Sequence, residues 1–273
     1  MKKELLIEQI RSKGSYLCVG LDTDATKLPK HFRNSSNAVV KFNRAIIDAT
    51  KDFCVSYKIN TAFYEAQGLK GWEAMEETLH HIPREHFKIA DAKRGDIGNT
   101  SSQYAKAFFE TLPFDAITVA PYMGEDSVRP FLEYENKFAI VLGLTSNAGA
   151  KDFELKKTGE EYLYERVLNI VSKWGNPGNL MFVIGATQAT ELQKIRKTIP
   201  DNFLLVPGVG AQGGSLKEVS KYGMNNECGL LVNASRAIIY ASEGEDFDER
   251  ARLVASGYNE EMKQLLSTYN FNQ

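Results

Sequence analysis

The residues best equipped for chemistry lie within Asp91-Ala92-Lys93-Arg94-Gly95-Asp96-Ile97-Gly98-Asn99-Thr100, directly after the apolar run His86 to Ala90. Strand side chains repeat every second residue, so Ile89, Asp91 and Lys93 share one face and a carboxylate projects beside an ammonium. Asp96 follows on a turn loosened by Gly95 and Gly98, which lets a second carboxylate approach the same lysine. Two acids beside one lysine hold it protonated and fixed, because opposite charge favours the charged form. Such a group can stabilise a carbanion and then protonate it. Schiff-base chemistry instead needs a neutral amine, which Asp91 and Asp96 oppose. Taken alone, the stretch also reads as a solvated charged turn, and its place in the fold must decide.

The elements that position it are eight short apolar runs. They are Tyr16 to Leu21, Phe53 to Ile59, the run ending at Asp91, Ala116 to Ala120, Phe138 to Leu144, Met181 to Gly185, Phe203 to Val206 and Gly229 to Val232. Amphipathic helical segments separate them, for example Val39, Phe42, Ile46 and Ala49 at the spacing of one helical face. Thr158 with Glu161 reads as a capping box ahead of a helix through Leu163, Val167 and Ile170. Near-continuous apolar strands suit a parallel sheet covered on both faces. Eight such units in 273 residues, with no linker, predict one domain over residues 1–273 folded as a (β/α)8 barrel. An open doubly wound sheet is the alternative.

Polar residues fall where that barrel would use them. Asp22, Lys58, Asp91, Lys93, Ser146, Gln212 and Arg236 all lie at or just after strand C-termini, which converge on one mouth. The glycine-rich run Pro207 to Gly214 can present successive backbone N–H groups, and with Arg236 on the next loop it predicts a phosphate cradle. Gly208, Gly210 and Gly213 also satisfy G-x-G-x-x-G. That dinucleotide fingerprint is rejected, because it follows the seventh strand and no acidic residue ends the next one.

Composition narrows the partners. A net charge of −2 gives no footprint for nucleic acid or an anionic membrane. No apolar run reaches membrane length, and the N-terminal segment is too short and charged for a signal peptide, so a cytoplasmic protein is expected. Cys18, Cys54 and Cys228 read as buried thiols. His31, His80, His81 and His86 stand away from strand C-termini and read as surface or helix-end residues, not as metal ligands.

With these residues in view, the chain resembles the orotidine 5′-phosphate decarboxylase family, in its longer bacterial branch. Asp91-Ala92-Lys93-Arg94-Gly95-Asp96-Ile97 carries the resemblance, with Gly20-Leu21-Asp22, Tyr57-Lys58-Ile59-Asn60, Ala62-Phe63-Tyr64-Glu65, Thr145 to Gly149, Pro207 to Gly214 and Asn233-Ala234-Ser235-Arg236 in order. The resemblance implies decarboxylation of orotidine 5′-monophosphate without metal or organic cofactor. It implies that Lys93 protonates C6, that Asp91 sits beside the substrate carboxylate, and that Lys58 and Asp22 serve the ribose. Ser146 would read the pyrimidine edge, and Gln212 and Arg236 would hold the phosphate. Asp96 and Thr100 would reach into a partner's site in a homodimer. Many members of this branch have proline at Ile59 and glycine at Ala237, a departure confined to loop geometry. The alternatives are a phosphosugar decarboxylase or aldolase sharing D-x-K-x-x-D, and a non-catalytic nucleotide sensor.

Overall fold

The computed structural model describes residues 1–32, 35, 37–210, 213–269 and 271. Eight parallel strands close into a barrel: β1 (Leu17–Gly20), β2 (Ser56–Asn60), β3 (Phe87–Arg94), β4 (Ala116–Val119), β5 (Phe138–Leu144), β6 (Leu180–Ile184), β7 (Leu204–Pro207) and β8 (Leu230–Ala234). Each strand bonds to its sequence neighbour, and β8 bonds to β1. Closure rules out the open sheet. All eight strands were expected, their ends within a few residues of those observed, because runs such as Phe138-Ala139-Ile140-Val141 are buried on both faces.

Helices cover the barrel: α1 (Lys3–Lys13), α2 (Ala38–Thr50), α3 (Ala62–Glu65), α4 (Leu69–His81), α5 (Gly98–Lys106), α6 (Glu125–Leu132), α7 (Leu163–Val171), α8 (Ala189–Thr198), α9 (Leu216–Gly223), α10 (Arg236–Ile239) and α11 (Phe247–Thr268). Among the described residues no helix is long and apolar enough to cross a membrane. Cys18, Cys54 and Cys228 are buried free thiols, as expected.

Two expectations fail locally. Thr158 and Glu161 do not cap α7; they pair across a small antiparallel hairpin whose turn uses Gly159 at φ +72°. The α7 cap is supplied one turn later, where the Glu165 carboxylate accepts the Tyr162 N–H at 2.7 Å. His86 is not at the surface but buried, with Nε2 2.8 Å from Lys13 Nζ. Burial, reinforced by the neighbouring Lys13 charge, pushes its pKa down to about 4, so the ring sits neutral in the wall and its burial strands no charge.

One helical junction bears on the site. Tyr64 in α3 donates from its hydroxyl to the Leu21 carbonyl (3.0 Å) and accepts from Asn43 Nδ2 (2.9 Å), fixing the end of β1. Gly71 in α4 makes this possible, because a Cβ there would lie 1.7 Å from the Tyr64 carbonyl oxygen. Gly71→Ala is therefore expected to destabilise the fold by about 1–3 kcal/mol through overpacking. Urea unfolding checks it, and an unchanged midpoint would show that α3 and α4 do not depend on this approach.

Candidate active site

The C-terminal ends of β1, β2 and β3 deliver an alternating row of charges. Strand register sets Gly20 beside Lys58, and Asn60 beside Asp91. Lys58 reaches Asp22 Oδ1 at 2.8 Å and Asp91 Oδ2 at 3.1 Å. Lys93 Nζ donates to the other oxygen, Asp91 Oδ1, at 2.5 Å. Thr118 on β4 adds a hydroxyl that donates to Asp91 Oδ1 (3.0 Å) and accepts the Lys93 backbone N–H (2.8 Å).

Strict strand alternation does not place Lys93. The β3–β4 register shifts between Ala90 and Arg94, and Lys93 adopts φ +46°, a left-handed conformation rare for a residue with a Cβ. Thr118 holds that irregular backbone and the Asp91 carboxylate together. Behind it, Arg94 pairs with Glu65 of α3, tying the β2 and β3 loops to each other. The outcome is a lysine 51% exposed at the mouth with a nearly buried carboxylate under it.

Electrostatics follow from burial. Lys58 is 3% exposed, which alone would lower its pKa, yet Asp22 and Asp91 outweigh desolvation and hold it above the ordinary lysine value. Burial likewise opposes ionisation of Asp91, but the charges of Lys58 and Lys93 and their hydrogen bonds win, bringing its pKa down to about 2. Both groups are charged across the neutral range.

The remaining expected residues are placed less completely. Asp96 is half-buried, but its carboxylate accepts the Ile97 N–H (2.8 Å) and makes no ion pair with Lys93, contrary to the expected approach of a second acid. The bulged end of β3 carries the turn away from the chain's own lysine. Thr100 lies half-buried in the first turn of α5. Ser146 follows β5, packed where Gly185 lacks a side chain; a Cβ there would lie 2.7 Å from Ser146 Cβ. Arg236 opens α10, exposed, with no carboxylate partner among the described residues. Gln212 lies outside the described residues. The glycine loop is less open than expected: the Gly210, Gly213 and Gly214 N–H groups donate to loop carbonyls at 3.0–3.2 Å.

A cleft of about 140 Å³ brings part of the expected set together: it is lined by Asp22, Lys58, Asp91, Gly208, Asn233 and Arg236, while Lys93, Asp96, Thr100 and Ser146 are not among its lining residues. A larger hollow, about 610 Å³, lies against Ala38, Lys70 and Glu77 and shares none of those side chains, so charge and not size marks the site. Thr118 escaped the sequence reading, and Asn233, named there within the motif Asn233 to Arg236, received no role of its own. A lone hydroxyl inside the apolar run Ala116-Ile117-Thr118-Val119 and an amide at the end of β8 were the available signals.

A parallel barrel with charged side chains gathered at its C-terminal mouth is the architecture of a barrel enzyme. The chain belongs to the Orotidine 5'-phosphate decarboxylase / HUMPS family, whose profile matches residues 15–247. It is 56% identical over 271 residues to the orotidine 5′-phosphate decarboxylase of Flavobacterium johnsoniae, covering 98% of this chain and 99% of that one. It is 54% identical over 270 residues to that of Bacteroides fragilis, covering 97% and 98%. Among solved structures, Leishmania donovani OMP decarboxylase superposes with a TM-score of 0.81 at 34% identity, covering 97% of this chain and 99% of that one. Leishmania donovani UMP synthase gives 0.84 at 37% identity, covering 95% of this chain and 55% of that longer one.

Asp91, depressed from 3.8 to about 2, stabilises the fold fully above its unfolded-state pKa, and that contribution is lost as pH falls through about 2. It amounts to about 2 kcal/mol. Stability measured by urea titration between about pH 4 and pH 2 should fall by that much more for the native protein than for Asp91→Asn. Parallel curves would mean that Asp91 is not held ionised by its lysines.

Proposed function

We propose that this chain decarboxylates orotidine 5′-monophosphate to uridine 5′-monophosphate and CO2, with Lys93 as the proton donor. The observation that carries the reading is the row Asp22, Lys58, Asp91 and Lys93, of which the first three line a cleft together with Arg236, a cation with no carboxylate partner among the described residues. The C6–carboxylate bond breaks, CO2 leaves, and the electron pair remains on C6. An N–H of Lys93 then supplies the proton that completes the product. A fixed ammonium stabilises that charge as it develops, without reorganising at the moment of reaction. Asp91 holds Lys93 in place and stands beside the departing carboxylate.

Lys58 and Asp22 hold the ribose, Ser146 reads the pyrimidine edge, and Arg236 with Gln212 grips the phosphate. Binding energy from that remote phosphate assembles the site and so contributes to rate as well as affinity. None of these roles requires a metal or an organic cofactor. Residues 1–273 act as one catalytic domain in the cytoplasm, without nucleic-acid or membrane partners. The working unit is a homodimer in which Asp96 and Thr100 serve the partner's site. Two features support this: Asp96 leaves its own Lys93 unserved, and the adjacent Ile97 is 57% exposed.

Absorbance loss of orotidine 5′-monophosphate on adding purified protein tests the reaction. Turnover should be indifferent to EDTA and fall at least about a thousandfold in Lys93→Ala. Uridine 5′-monophosphate that binds without turnover would favour the sensor, and activity on phosphosugars that EDTA abolishes would favour the other D-x-K-x-x-D chemistry. Mixing inactive Lys93→Ala and Asp96→Ala chains should restore measurable activity, since each mixed dimer has one intact site. No recovery despite subunit exchange would place Asp96 in its own chain's site.

A further inference from the structure

Asn233 is 7% exposed, and its side-chain Oδ1 is buried without a hydrogen-bond partner among the described residues. It stands beside Cys18 of β1 and Pro207 of β7 in register, and it lines the cleft with Asp22, Lys58 and Arg236. Gly20 leaves room for it: a Cβ there would lie 3.1 Å from Asn233 Oδ1 and 2.7 Å from Ser235 Cβ. A buried acceptor left unsatisfied costs about 1–3 kcal/mol, so such an atom calls for a donor from outside the chain, a water or a bound molecule.

The missing partner must be a donor. Phosphate and carboxylate oxygens at neutral pH are acceptors and would be repelled by a carbonyl oxygen. The orotate and uracil ribonucleotides of the proposed reaction offer donors only at the ring N–H and the sugar hydroxyls. Ser146, which reads the ring in the proposed function, follows β5, separated from β8 by β6 and β7. Asn233 instead adjoins β1, whose end carries Asp22 and its link to Lys58.

Building on the proposed function, we infer that Asn233 is a specificity-determining residue for ribose, its Oδ1 accepting a hydrogen bond from one sugar hydroxyl of the bound nucleotide. The room that Gly20 leaves beside Asn233 Oδ1 then has a purpose beyond packing. An amide at this point of the wall distinguishes a hydroxylated sugar from a deoxygenated one, where an apolar side chain would not.

A double-mutant cycle between protein and ligand tests it. Dissociation constants of uridine 5′-monophosphate and of its 2′-deoxy and 3′-deoxy analogues are measured by calorimetry for the native protein, Asn233→Leu and Asn233→Ala. For one analogue, the native preference for the hydroxylated nucleotide should shrink about three- to tenfold in both variants, the worth of one neutral hydrogen bond. Two variants of different volume, each checked for an intact unfolding transition, separate the hydroxyl from packing. Preferences unchanged for both analogues would overturn the assignment. Turnover of orotidine 5′-monophosphate by native protein, with unchanged preferences, would overturn this inference alone. Failure of the native protein to bind uridine 5′-monophosphate would overturn both readings.

Discussion

A lysine ammonium that is only 3% exposed has lost most of its hydration, and Lys58 keeps its charge because two carboxylates replace that water. Removing either acid would leave a buried charge short of compensation, the costly half of a broken ion pair. The dependence runs in both directions. Asp91 is itself nearly buried, and it stays ionised because Lys58 occupies one of its oxygens and Lys93 the other. Lys93 is thus held by a carboxylate that a second, buried lysine helps to keep ionised.

This mutual dependence explains why the barrel matters. Parallel register places the donors and acceptors at strand ends: Gly20 lies beside Lys58 and Asn60 beside Asp91. Ladder hydrogen bonds and the apolar layers below set the spacing of the charges to within hydrogen-bond reach. Supporting contacts lock the loops in turn, through Tyr64 on Leu21, Arg94 on Glu65 and the Tyr240 hydroxyl accepting the Asp24 N–H at 2.7 Å. Each contact joins neighbouring elements, so the mouth is braced from the end of β8 through β1 and β2 to β3.

Much of this was legible in the chain, and the failures share a cause. Strands such as Phe138–Leu144 announce themselves because burial on both faces demands unbroken apolar sequence. Asp91 and Lys93 were found through alternation, yet the contact between them rests on a register shift and a left-handed φ that no spacing rule contains. Thr118 was hidden because one hydroxyl in an apolar strand has no pattern of its own. His86 was misplaced because the pocket that buries it is formed with Lys13, distant in sequence. Thr158 and Glu161 satisfied a capping motif, but the positive φ of Gly159 made them a hairpin instead. The glycine loop promised free amides, while the fold used several of them to close the loop on itself. Local rules identified residue types; long-range packing decided their partners.

The site also divides its groups by whether the chain completes them. Asp22, Lys58, Asp91, Lys93 and Thr118 satisfy one another, so their geometry exists before any ligand arrives, as stabilising a developing charge without rearrangement requires. Arg236 lacks a carboxylate, Asp96 lacks a cation, and Asn233 Oδ1 lacks a donor among the described residues. Of these incomplete groups, Arg236 and Asn233 share a cleft with Asp22, Lys58 and Asp91. Under the proposed function, a ligand that supplies a phosphate and hydroxyls gains affinity from Arg236 and Asn233 while its reacting carbon meets charges already fixed. In the proposed function Asp22 and Lys58 therefore serve both binding and chemistry, and interactions with the far end of the substrate can be used to assemble the site instead of reorganising its centre.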